Sequence, residues 1–225
     1  MPSVDPAMFI LSLVVILLAL TVHEFAHAWV ADAAGDPTPA SMGRVTLNPL
    51  RHLDPLGTIM LIITSLTGFG IGWGKPVMVN PSKMRNPRWD HFLSVAAGPL
   101  SNLLQAGLFS IVLRLVGIGS RSGLLTMGDG GNHWLVMFLV LGVIINVGLF
   151  CFNLIPLGPL DGHWLVGAFL PESQRWNWYK FNRSYGSFIF IALILVPSGS
   201  PFDVIGMYLR PAVTKIAGLL IGVPL

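Results

Sequence analysis

The sequence predicts an all-α polytopic membrane protein, on three observations. The chain is 53% hydrophobic and only 10% charged, where soluble domains carry about a quarter charged residues. Several apolar runs reach the ~20 residues that span a bilayer. From Pro6 to Val30 the only formal charge is Glu24, so charges are kept between the runs with few exceptions. The whole chain, 1–225, reads as one membrane-embedded domain without internal repeats or low-complexity segments.

The first span covers about Ala7 to Val30. A polar, proline-rich stretch follows from Gly35 to Pro55, then a short apolar piece, Leu56 to Ile71. Gly72 to Asp90 is polar again. Arg44 to Leu50 and Lys75 to Asn80 read as short extended segments. A second full span covers His91 to about Gly117, and Ser120 to Asn132 is a loop. The third span runs from His133 to about Asn153. Pro156 and Pro159 stop it, because proline lacks the N–H donor and clashes with the preceding turn. A short apolar segment lies between Asp161 and Pro171. After a basic loop, a fourth apolar run covers Tyr185 to Val196. Val204 to Leu225 is read either as a span or as an interfacial helix.

Composition excludes several function classes. The net charge of +3 comes without a basic block suited to nucleic acid. A single cysteine, Cys151, rules out an intrachain disulfide and a cysteine-only zinc site. It sits in an apolar run and reads as a packed core thiol. The N-terminus lacks the basic region and cleavage site of a signal peptide. No long polar insertion separates the spans, so no inserted regulatory domain is expected.

The chemistry lies in HEFAH, His23 to His27. On a helix, residues four apart share one face, so both imidazoles can bind one metal ion. Glu24 lies beside them, placed to take a proton from water activated by that metal. A five-residue pattern with three fixed positions also arises by chance. Its setting argues against chance, because an acid within a span costs ~3 kcal/mol on insertion scales and implies a partner or a function.

A catalytic zinc usually has three protein ligands and an open position. His52, His91 and His133 read most simply as interfacial residues. Asp161 follows a helix broken by two prolines, and a carboxylate on unwound backbone at membrane depth must line a cavity or meet a partner. Its plainer reading is an N-cap for the segment from Gly162, and the two roles are compatible. His163 is a weaker rival ligand.

HEFAH in an apolar helix, followed far downstream by NLIPLGPLDG (Asn153 to Gly162), resembles the site-2 protease family of intramembrane zinc metalloproteases. AGPLSN (Ala97 to Asn102) resembles that family's G-x-x-x-N element. GRVTLNPLRHLDPLGT and GWGKPVMVNP resemble the membrane-associated extended segments of its compact bacterial members, which lack PDZ and CBS domains. The resemblance implies a three-helix catalytic core within about 7–170, with peripheral spans over about 184–225. It implies one Zn2+ per chain on His23, His27 and Asp161, and a catalytic Glu24. It further implies polar substrate or oxyanion contacts from Asn153 and Asn102. The plainer readings are a hydrogen bond between helices for Asn102 and a cap on a broken helix end for Asn153. The implied activity is cleavage of a transmembrane segment of another membrane protein. The partners are then that substrate, the lipid bilayer and a regulatory membrane protein of unknown identity, with no nucleic acid.

Depth and charge together give an orientation. His23 lies ~24 Å along its helix from Ala7 at 1.5 Å per residue, near the exit of the first span. Asn102 is near the entrance of the second, and Asn153 and Asp161 are at the exit of the third. These elements meet only if residues 33, 90 and 155 share one side. That side carries Arg44, Arg51, Lys75, Lys83, Arg85, Arg88, Arg175, Lys180 and Arg183, against Arg121 and the marginal Arg114 opposite. The positive-inside rule makes it the cytoplasm of a cell-membrane protein, with the N-terminus outside. Leu56 to Ile71 is then expected to dip in and return, the alternative being a crossing. A metal transporter or metal-storing membrane protein is the competing function. It would need ligands along a through-path and usually repeated halves.

Overall fold

The structure is a computed structural model that describes residues 5–67, 72–116 and 133–223. Its helices, in chain order, are α1 (Pro6–Ala33), α2 (Thr38–Ser41), α3 (Pro55–Thr67), α4 (Trp89–Leu115), α5 (His133–Asn153), α6 (Gly162–Phe169), α7 (Glu172–Phe181), α8 (Ser187–Ile194) and α9 (Val204–Ile221). No strand occurs among the described residues. Among the described residues four helices, α1, α4, α5 and α9, are long and apolar enough to cross a membrane. The protein is therefore an all-α polytopic membrane protein, as its composition requires.

Local chemistry sets the helix ends. Asp5 accepts a hydrogen bond from the Ala7 amide at 2.9 Å, and Pro6 follows at the first helical position, where a missing N–H costs nothing. Beyond α1, Gly35 adopts φ +106° and the Asp36 amide returns to the Ala31 carbonyl at 3.1 Å. Asp203 caps α9 by accepting from the Gly206 amide at 2.8 Å. At the other end Ser110 and Arg114 of α4 donate to the Leu220 carbonyl, at 2.6 and 2.9 Å, satisfying a carbonyl that the helix leaves orphaned. This ties α9 to the core, and α9 is long and apolar enough to cross a membrane. The C-terminal run from Tyr185 is different. A π-helical turn, Asn182–Gly186, joins α7 to α8, and α8 has only eight residues, about 12 Å at 1.5 Å per residue.

The core is formed by α1, α4 and α5 in mutual contact, with α9 against α4 and α5. Its centre contains Ala106, Leu113, Val143, Val147 and Cys151, together with Ala217 and Ile221 from α9. Cys151 is buried there as a core thiol.

The polar stretches fold back over this core. Residues 44–48 form no strand and bend at Val45 and Thr46; Asn48, itself extended, accepts from the Leu50 amide at 3.1 Å and starts a 3-10 turn, Pro49–Arg51. The local Asn side-chain bond and the fixed proline φ win over pairing with a neighbour. Residues 75–80 do lie without helix. They begin beside an antiparallel bridge between Leu53 and Gly74, where the Lys75 amide donates to the His52 carbonyl at 2.8 Å. The chain entering α3 and the chain returning from it are thus side by side. Residues 68–71, the far end of that apolar piece, lie outside the described residues.

Candidate metal centre

Helix α1 places His23 and His27 on one face, and α4 and α5 cover it. His23 and His27 are both buried. The Nδ1 of His27 donates to the Ser94 carbonyl at 2.8 Å. A carbonyl can only accept, so in a neutral ring the proton is on Nδ1 and the lone pair is on Nε2. The Nδ1 of His23 donates to Oδ1 of Asn102 at 2.7 Å, which leaves its Nε2 in the same state. These two Nε2 atoms lie 3.0 Å apart. Oδ2 of Asp161 lies 3.3 Å from each.

Two lone pairs and a carboxylate oxygen at such distances repel unless a positive charge sits among them. Asp161 Oδ2 is buried and has no hydrogen-bond donor. Its backbone starts α6 in helical conformation, yet its side chain makes no cap bond, so the plainer N-cap reading of the carboxylate fails. His23, His27 and Asp161 are the one group of possible metal ligands of this kind among the described residues. Their donor set, two imidazoles and one carboxylate, suits zinc.

Two glycines permit the convergence. A Cβ on Gly98 of α4 would overlap Nε2 and Cε1 of His27. A Cβ on Gly162 would overlap the Leu154 and Ile155 carbonyl oxygens. The second contact lets α6 begin directly under the broken end of α5, which brings Asp161 back to α1. The chain between them turns through a cis Gly158–Pro159 bond, and the Gly158 amide donates to Asn182 Oδ1 at 2.9 Å.

A cavity of about 750 Å³ opens beside the three residues and is also lined by Glu24, His91, Asn153 and Trp164. That volume is in the range of small-ligand pockets. Oε2 of Glu24 accepts a hydrogen bond from the Val77 amide at 3.1 Å. Asn153 donates through Nδ2 to the Leu149 carbonyl at 3.0 Å, one turn back on α5. Asn102 is placed elsewhere. It is fully buried and does not line the cavity. Its Nδ2 donates to the Ala19 carbonyl at 3.3 Å and to Asn146 Oδ1 at 3.0 Å. It therefore holds His23 and bridges helices, as its plainer reading has it, and makes no contact with the cavity where the resemblance implies a substrate contact.

The remaining histidines divide. His163 turns its Nδ1 to the Leu160 carbonyl and stays outside the ligand group. His52 is buried, donating through Nε2 to the Thr46 carbonyl at 2.7 Å, and stays outside the ligand group. His91 is in the cavity wall with its ring 5.1 Å from that of Trp164. Sequence reasoning missed His91 here, and it missed Asn146 and the Val77 amide altogether. Asn146 had a signal, as the lone amide between Trp134 and Phe152. A backbone N–H has none.

Outside the spans, Arg44 is buried and donates to the Arg51 and Lys75 carbonyls and, at 2.9 Å, to that of Pro76. It holds the base of the segment whose Val77 amide reaches Glu24. Burial lowers its pKa, against the opposing pull of Glu24.

Comparison with known proteins places the chain in a family. The profile of Peptidase family M50 matches residues 118–197, a stretch with Asp161 but without HEFAH. The chain is 36% identical over 187 residues to "Putative zinc metalloprotease YwhC" of Bacillus subtilis, covering 83% of this chain and 81% of that protein. It is 27% identical over 195 residues to "Putative zinc metalloprotease Rip2" of Mycolicibacterium smegmatis, covering 84% and 68%. With the Mycobacterium tuberculosis Rip2 it shares 33% over 178 residues, covering 77% and 63%. No solved structure matches. A relative above 30% identity, aligned across most of both chains, shows the family: this chain belongs to peptidase family M50, the site-2 protease family of membrane metalloproteases.

Proposed function

We propose that the protein is an intramembrane endopeptidase that cleaves a transmembrane segment of another membrane protein. The observation that carries this reading is the convergence of His23 Nε2, His27 Nε2 and Asp161 Oδ2 within 3.3 Å, beside a cavity that Glu24 also lines. These three residues would hold one zinc ion per chain. Bound there, zinc would supply Lewis acidity for a peptide carbonyl and for water.

Glu24 is the general base. It takes the proton from the attacking water and returns it to the leaving amide nitrogen. The Val77 N–H holds one of its oxygens, and the other stays available for the proton. Asn153 lines the same cavity and supplies an N–H to the developing oxyanion. Losing one such donor typically costs ~10²–10³ in rate.

The substrate is a membrane helix, which must unwind before its carbonyl is accessible. Within residues 75–80 the Met78 and Val79 amides remain to pair with it as an added strand, since those of Lys75, Val77 and Asn80 are engaged. The catalytic core, about 7–170, works with the C-terminal helices as one membrane domain. The bias of basic residues supports a cell-membrane protein with its N-terminus outside and its site in the cytoplasmic half. The adjacency of Leu53 and Gly74 supports a piece between them that enters and returns on one side.

Glu24→Gln tests the reading. The variant keeps size and hydrogen bonding and removes the base. Reconstituted with a model transmembrane substrate, it should retain zinc and lose cleavage by at least ~10²-fold, the lower end for a general base. Glu24→Asp shortens the reach and should keep little activity. Near-normal turnover by the Gln variant would end this mechanism.

A further inference from the structure

Asn146 is fully buried in α5, in a run otherwise without a side-chain amide between Trp134 and Phe152. Its Nδ2 donates to the Gly142 carbonyl at 2.9 Å. Because that carbonyl can only accept, the amide has one orientation, with Oδ1 facing Asn102. There it accepts one N–H of Asn102 at 3.0 Å, while the other goes to the Ala19 carbonyl at 3.3 Å. With its NH2 engaged on that side, Asn102 turns Oδ1 to His23 and accepts from Nδ1 at 2.7 Å. Each donor direction in this chain is set by carbonyls at its ends.

We propose that Asn146 is a positioning residue for His23: acting through Asn102, it keeps the His23 proton on Nδ1 and the Nε2 lone pair toward the metal position. This rests on the reading of His23 as a zinc ligand. The two ligands are supported differently. His27 is oriented by the backbone carbonyl of Ser94, which no side-chain substitution removes. His23 relies on two amide side chains from two other helices. Such outer partners fix the tautomer and raise ligand basicity. A role as helix glue alone would make Asn146 matter for stability and leave zinc affinity alone.

The experiment measures zinc affinity by chelator competition on the purified full chain in detergent, and the Tm of the zinc-free protein. Asn146→Leu removes the acceptor for Asn102 and should weaken zinc binding by ~10-fold or more, as outer-shell losses do, at little change in zinc-free Tm. Asn146→Asp, protonated in this apolar setting, has a C=O for Asn102 and an O–H for Gly142. It should restore affinity to within about threefold, a small part of the ~10–100-fold outer-shell range. Natural affinity in Asn146→Leu, with zinc lost in a parallel His23→Ala, would overturn the positioning role and leave the ligand assignment intact. Natural affinity in both would overturn the two together. Equal weakening by Leu and Asp would also overturn it. Should Asn146→Leu not fold, 15N shifts of the histidines in the zinc-free natural chain decide. A His23 proton on Nδ1 supports the relay, and a proton on Nε2 overturns it.

Discussion

His23 and His27, one turn apart on α1, present their Nε2 atoms to each other at 3.0 Å, while each Nδ1 donates to an oxygen on α4. A pair of facing acceptors is an electrostatic liability by itself. It becomes a binding site when a cation stands between them and Asp161.

Removal of the ligands should therefore remove the metal. The natural chain should purify with about one zinc per chain, and the double variant His23→Ala, His27→Ala without it. Metal analysis checks this, and undiminished zinc would refute the ligand assignment. Chelation of the natural chain should lower its Tm, since a ligand held only by the native state adds ~4 kcal/mol at a thousandfold excess over Kd.

Gly98→Ala should act on the same site without replacing a ligand. The added methyl overlaps His27 Nε2 and Cε1, so the ring must leave its position. Zinc affinity should fall by at least ~10-fold, as for other losses of ligand orientation. Chelator competition reads this directly. Gly107→Ala, where a Cβ meets nothing within 4 Å, should leave it unchanged.

Asp36 links the end of α1 to the returning segment. It accepts from the Thr38 amide at 3.0 Å and the Asn80 amide at 2.6 Å. Burial alone would raise its pKa; the donors on Thr38 and Asn80, with Lys83 nearby, outweigh it and hold the carboxyl below its ordinary value. A depressed folded pKa gives stability that is present above the unfolded value, ~3.9, and lost as pH falls through the folded one. Asp36→Asn should thus lower Tm at neutral pH and flatten its fall below about pH 4, as linkage requires. Thermal unfolding from neutral to acid pH checks both, and parallel curves would refute the assignment.

Orientation is testable with single cysteines in a Cys151→Ser background. Cysteines at Ser82 and Ser173 should label from the cytoplasmic side only, and one at Ser122 from outside. A cysteine at Gly70 should resist reagent from outside if its segment returns. Opposite labelling would refute the positive-inside orientation. Ser122 and Gly70 lie outside the described residues.

What the sequence made legible follows from the range of the forces involved. HEFAH declares its geometry through helical period alone, since four residues of α1 suffice to align two rings. Asp161 was visible because a charge at membrane depth is costly and must have a purpose. Span limits came within a few residues for α1, α4 and α5, because hydropathy is local. Asn102 was visible as a polar residue but its contacts were not. Its partners, His23 and Asn146, are 79 and 44 positions away, and only the packing of three helices puts them together. The burial of His52 was hidden for a similar reason: it sits in a polar stretch, and only the fold of residues 44–53 encloses it. For Arg44 to Leu50, an Asn-Pro turn signal lay inside the segment and outweighed its extended appearance.

The metal centre is defined as much by missing atoms as by those present. Gly98 and Gly162 contribute only hydrogens, and those small volumes fix how near α4 comes to α1 and how tightly the chain after α5 doubles back. Ligand substitutions can be partly compensated, because imidazole and carboxylate have chemical substitutes. Space already filled by a neighbouring ring or carbonyl has none. The two glycines should therefore be the positions at which this centre accepts the fewest of the other nineteen amino acids.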